Sequence, residues 1–67
     1  MRLGEWLADK KRGTITKMAI AVECSPAYIS YLADGTKTNP GLWIRKRIAH
    51  YTDGDVDPVF DWPNGMG

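Results

Sequence analysis

Thr14-Ile15-Thr16-Lys17-Met18-Ala19-Ile20-Ala21-Val22-Glu23-Cys24-Ser25-Pro26-Ala27-Tyr28-Ile29-Ser30-Tyr31-Leu32 is the stretch that decides the fold. It reads as two short helices joined by a tight turn. Ile15, Met18, Ala19 and Val22 recur at i, i+3, i+4 and i+7, which is one face of a helix. That face ends at Glu23-Cys24. Ser25 followed by Pro26 then marks a new start: the serine oxygen accepts from a first-turn amide, and proline at the first helical position lacks an N–H that would have had no partner anyway. Ile29 and Leu32 give the second helix its own apolar side. A connection this short forces the two helices to cross and share a core. Ala19 is small where they would approach most closely.

The flanks extend the pattern. Leu3, Trp6 and Leu7 mark a first helix that ends near Lys10-Lys11-Arg12, with Gly13 beyond it as a stop. Thr14 reads as the cap of the second helix. The third stops at Gly35, Thr36-Lys37-Thr38 is a polar loop, and Asn39-Pro40 repeats the cap-plus-proline start for a fourth. There Ile44, Ile48 and Tyr51 fall on one face. Asp53-Gly54 is a turn, and Asp57-Pro58 opens one short helical turn carrying Val59, Phe60 and Trp62. The expected core is Met18, Ala19, Ile29 and Ile48, surrounded by Leu3, Leu7, Val22, Leu32 and Ile44. No run alternates apolar and polar residues as a strand would. The predicted fold is all-α: a compact bundle of four to five short helices containing a helix-turn-helix. The predicted organisation is one domain over residues 1–62 and a frayed tail over 63–67.

Composition narrows the function classes. With 67 residues the chain is one domain at most, near the lower limit for folding alone. Cys24 is the only cysteine, so no internal disulfide forms, and a reducing compartment is expected. No apolar run approaches the roughly 20 residues of a membrane span, and no signal-peptide pattern opens the chain, so a cytosolic setting is expected. The net charge is +1, but it is unevenly spread. Residues 1–50 hold all nine Lys and Arg against Glu5, Asp9, Glu23 and Asp34. Residues 51–67 hold Asp53, Asp55, Asp57 and Asp61 and no base. A phosphate-bearing partner would meet the cationic body, with the anionic tail pointing away.

Taken in order over residues 3–60, these pieces resemble the helix-turn-helix proteins of the phage Cro/repressor type, the lambda-repressor-like family. The resemblance rests on Gly13-Thr14 before the second helix, the small Ala19, Ser25-Pro26-Ala27-Tyr28-Ile29-Ser30, Leu32, Gly35, Asn39-Pro40 and Ile48-Ala49-His50-Tyr51-Thr52-Asp53-Gly54-Asp55-Val56. It implies a third helix lying in the major groove of double-stranded DNA. It also implies a transcription regulator that acts by occupying an operator and excluding polymerase, in the bacterial host cytoplasm or nucleoid. Two departures stand out. Glu23 occupies a turn position where the family often has glycine at positive φ, at a cost of about 1 kcal/mol. Ile15 and Ala27 stand where the family favours glutamine and long polar residues.

The candidate contacts are set by side-chain chemistry. Ala27 can pack on a thymine methyl, Ser30 can bond several base edges, and Tyr31 can do so at longer reach. None of the outward residues of this helix is Arg, Lys, Asn or Gln, so affinity leans on the DNA backbone and on DNA shape. The phosphate candidates are Thr14 and Lys17 on the second helix, Tyr28 at one side of the third, and Lys37, Thr38 and Asn39 after it. Lys10, Lys11 and Arg12 extend the first patch. Arg45, Lys46 and Arg47 cannot all face one way, so at least one is a solvated surface charge.

Catalytic and metal chemistry find no constellation. His50 and Cys24 are each alone, and Cys24 reads as a buried inert thiol. Asp53, Asp55 and Asp57 alternate like calcium ligands, but no closing Glu completes the loop and Pro58 intrudes. No catalytic residue, metal, cofactor or small-molecule substrate is expected. One domain covers only a half-site, so a weak or DNA-dependent homodimer is expected. Trp43, Val56, Val59, Phe60 and Trp62 are its candidate surface, unless Phe60 and Trp62 fold back over the first and fourth helices. The competing class is a protein-interaction module that keeps the fold and binds through Trp43, Tyr31 and Phe60.

Overall fold

In the computed structural model the two central helices are α2 (Arg12–Val22) and α3 (Pro26–Asp34), with Glu23-Cys24-Ser25 between them. The structure describes residues 1–62. The expected frayed tail, 63–67, lies outside them. α1 (Leu3–Ala8) precedes the pair and α4 (Leu42–Tyr51) comes after it. Among the described residues there is no strand, and the fold is a small all-α bundle. α2 packs on α3 and α4, and α1 packs on α3. Among the described residues no helix is long and apolar enough to cross a membrane.

The turn carries the strain that the resemblance implied. Glu23 adopts the left-handed conformation, φ 66° and ψ 46°. The amide of Cys24 donates to Ala19 O at 2.9 Å and that of Glu23 to Ile20 O at 3.2 Å, which closes the end of α2 as a Schellman-type cap. Ser25 then caps α3, its Oγ accepting from the Tyr28 amide at 3.1 Å. Gly35, at φ 88°, ends α3.

The core contains every residue placed at its centre: Met18, Ala19, Ile29 and Ile48 are at most 1% exposed. Leu3, Leu7, Val22 and Leu32 are buried with them, as are Val56 and Trp62. Ile44 is half-buried against this cluster. A second close approach leaves no mark in the sequence pattern. A Cβ on Gly4 would meet Ala33 O at 2.5 Å, so α1 lies on α3 backbone to backbone, a separation that only glycine permits.

Four boundaries differ from expectation. The first helix stops at Ala8, and Lys10-Lys11-Arg12 lead into α2 instead of closing α1. Lys11 is the extended residue before α2, so Thr14 lies inside the first turn and is not its cap. Gly13 is not a stop: it sits in that turn, and a Cβ there would meet nothing within 4 Å. Asn39-Pro40 does not open α4, whose cap is Gly41. Arg45 is the reason. Its Nη2 donates to Asn39 Oδ1 at 2.9 Å and its Nε to Pro40 O at 3.0 Å, so the asparagine oxygen is not free to cap amides. Asp57 does cap: its Oδ1 accepts from the Val59 and Phe60 amides at 2.7 and 2.8 Å. The residues it caps form a turn, however, and not a fifth helix.

Candidate nucleic-acid interface

α3 presents two faces of opposite character. Ile29 and Leu32 are buried, and Tyr28 is half-buried against the same cluster. Ala27, Ser30 and Tyr31 are exposed on the outer side, Tyr31 at 44%. The spacing produces this division directly. Residues 27, 30, 31 and 34 share one side of a helix and 29 and 32 the other. The three candidate base-reading residues are thus brought together on one accessible surface. Beyond them, Asp34 accepts the Thr36 amide at 2.8 Å, and its hydrogen bonds with Thr36 hold the carboxyl below its usual value.

The phosphate candidates fall on two separate flanks. Lys17 is exposed on α2, while Thr14 is half-buried in its first turn. No side chain caps this helix, and Lys11 and Arg12 occupy its cap and first position. First-turn amides without a side-chain acceptor and adjacent cations form the arrangement that binds anions at helix N-termini. Lys37, Thr38 and Asn39 are exposed on the other flank, ahead of α4, whose N-terminus also lacks a side-chain cap. Lys37 is tied back to α3, its amide donating to Tyr31 O at 3.1 Å.

Arg45 is an interior residue that the sequence pattern does not reveal. It is 2% exposed, yet no carboxylate lies within ion-pairing distance among the described residues. Its two bonds, to Asn39 and Pro40, pin the loop that carries Lys37 and Thr38. Its guanidinium lies 5.7 Å from the centre of the Trp62 ring, and its Nη1 is buried with no hydrogen-bond partner. The available signal was the spacing of Arg45, Ile48 and Thr52, all buried, at i, i+3 and i+7. A purely apolar pattern selects Ile44, Ile48 and Tyr51 instead. Of the three neighbouring cations only Lys46 is solvated. Arg47 stacks over Trp43 at 4.3 Å.

The C-terminal aromatics separate. Val56 is fully buried and Trp62 is 6% exposed, so both belong to the chain's own core and leave the expected pairing surface. Apolar burial recruits them because the four helices alone do not close the bundle. Val59 is half-buried, while Trp43 and Phe60 are exposed at 63% and 89%. The anionic tail does not point wholly away from the loop flank. Asp61 and Trp62 line a cavity of about 160 Å³ with Lys37 and Thr38. The Asp61 carboxylate is engaged there, 2.8 Å from the Met1 ammonium.

Cys24 is half-buried, and burial pushes its thiol up, away from the reactive thiolate. Comparison with known proteins returns no matching family model, no matching curated protein and no matching solved structure.

Proposed function

We propose that this chain is a sequence-specific double-stranded-DNA-binding transcription regulator of the phage Cro/repressor type, acting by operator occupancy in the bacterial host cytoplasm or nucleoid. One observation carries the reading. The Ala27-Ser30-Tyr31 face of α3 is exposed, and the helices before and after it, α2 and α4, both begin without a side-chain cap, α2 with Lys11 at its cap position and α4 after a loop carrying the exposed Lys37. α3 supplies base-edge contacts and the flanks supply phosphate contacts, the usual division of labour between specificity and affinity. Pairing on the operator, as a weak or DNA-dependent homodimer, supplies the specificity that one such surface lacks.

Selection of bound sequences from random duplex DNA, followed by titration at two salt concentrations, tests this. Lys17→Ala and Lys37→Ala should each weaken binding to all sequences and lower the salt slope by about 1. Changing Ser30 or Tyr31 should shift preference at one or two base pairs by about 1–3 kcal/mol each. No selected sequence and a flat salt response would favour a protein-interaction module. The exposed Trp43 and Phe60 and the absence of long polar side chains on α3 support that second reading.

A further inference from the structure

Arg45 decides what Asn39 can do. A guanidinium carries donors only, so the Asn39 atom that meets Arg45 Nη2 at 2.9 Å is its carbonyl oxygen. That oxygen is turned inward, and the amide nitrogen Nδ2, with two donors, is left to the open side of an exposed residue. An Asn-Pro pair just ahead of a helix would otherwise use the oxygen as a cap. Here the cap position falls to Gly41, which has no side chain, and the first-turn amides of α4 have no side-chain acceptor. Asn39 thus becomes a donor in place of an acceptor.

The same place carries uncompensated positive charge. Arg45 lines a cavity of about 150 Å³ with Asn39, Pro40, Gly41 and Leu42, at the start of α4, and none of these five residues is acidic. Arg45 is 2% exposed and has no carboxylate within ion-pairing distance among the described residues. One of its donors, Nη1, has no hydrogen-bond partner. Its Nε is bonded to Pro40 O at 3.0 Å, so the guanidinium lies at the end of α4 where the helix dipole is also positive. Burying a cation without a counter-charge is costly, and a like-signed dipole adds to the cost. An anion at this spot relieves both.

We infer that this cavity is a phosphate site, in which Asn39 Nδ2 and the amides at the start of α4 donate to one tetrahedral oxyanion and Arg45 is the positioning residue. Arg45 acts through Asn39, by fixing which way its amide faces, and through its charge. Backbone amides at a helix N-terminus suit an oxyanion in both direction and sign. Lys37, exposed two residues before Asn39, adds longer-range attraction. The group is either a backbone phosphate of DNA, in which case the site rests on the function proposed above, or free inorganic phosphate.

Titration with inorganic phosphate at constant ionic strength, read by amide NMR, tests the site without DNA. In the wild type the Asn39 side-chain amide and the Leu42 and Trp43 backbone amides should shift together and saturate. Shifts that never saturate, or that spread evenly over the lysines, would overturn the inference. Asn39→Asp keeps an acceptor for Arg45 and offsets its charge, but removes the outward donor. It should melt at or above the wild-type temperature and lose phosphate binding about tenfold or more. A lower melt would contradict the inward-facing oxygen and overturn the inference. Arg45→Met frees that oxygen to cap α4, and should lose binding by a similar factor with a cooperative melt. Phosphate binding unchanged in either variant would overturn the inference, and if Arg45→Met does not fold, Asn39→Asp alone decides. The same variants titrated with duplex DNA separate the two sources. Weaker binding with a salt slope lower by about 1 assigns the phosphate to the DNA backbone, and unchanged DNA affinity assigns the site to free phosphate. A chain that binds phosphate here and no duplex at all keeps the site and loses the DNA-binding reading.

Discussion

The α2–turn–α3 unit and the segment from α4 to Trp62 bury their residues by different means. In the first, burial is almost wholly apolar: Met18, Ala19, Val22, Ile29 and Leu32 form the core, and the polar groups are short-range caps and turn bonds. In the second, polar groups are buried alongside Ile48. Arg45 holds the Asn39-Pro40 loop. Thr52 Oγ1 donates to Ile48 O at 2.9 Å and accepts from the Val56 amide at 3.1 Å. The first unit is specified by side-chain pattern. The second is specified by hydrogen bonds that reach across loops, which makes it more sensitive to the loss of a single polar atom.

Ala19→Glu should have the largest effect. It places an unpaired charge where Ala19 is 1% exposed between helices, and the domain should lose its cooperative thermal transition. A melt near wild type would dissolve the helix-turn-helix assignment itself.

Thr52→Val tests the second region. It conserves shape but strands the buried Val56 amide, and should cost about 1–3 kcal/mol by denaturant titration. A loss below about 0.3 kcal/mol would mean that the tail is held by Val56 and Trp62 burial alone.

Glu23→Gly should act in the opposite direction. Glycine relieves the left-handed strain at φ 66°, and only a long 3.8 Å pair with Arg47 is lost. A gain of up to about 1 kcal/mol in unfolding free energy is expected. A loss would show that the Arg47 pair outweighs the backbone strain.

The smallest expected effect is the acid response at Asp61. The Met1 ammonium, and after it the Asp57 amide, hold this carboxyl below its usual value. The folded state therefore favours the charged form. The contribution is fully present above the unfolded value, about 3.9, and is lost as pH falls through the folded one. Asp61→Asn should flatten the decline in stability below about pH 4 relative to wild type. Parallel curves would remove Asp61 from the acid response.

Legibility in the sequence tracked the same contrast. The Ser25-Pro26 start, the Gly35 stop and the buried positions of α2 and α3 depend on contacts within one or two turns, and local pattern reports these. The outward set Ala27, Ser30 and Tyr31 was legible for the same reason, since helical periodicity alone separates it from Ile29 and Leu32. The start of α4 was not legible. Asn39-Pro40 has the chemistry of a cap, but Arg45, six residues later, takes the asparagine oxygen. Gly4 is likewise silent in sequence, because its need for a bare Cα arises from Ala33 O on another helix.

By itself the sequence determined the helical class, the tight turn between α2 and α3, and the faces these two helices turn inward and outward. Periodicity, caps and backbone sterics act over a few residues, so they are complete within the local chain. Only the tertiary structure decided that Arg45 and Thr52 are interior, that Val56 and Trp62 close the core, and that Phe60 and Trp43 remain outside. Those outcomes depend on which surfaces the other elements leave uncovered once the chain has folded. Residues of like hydrophobicity, such as Phe60 and Trp62, are separated only by that competition for burial.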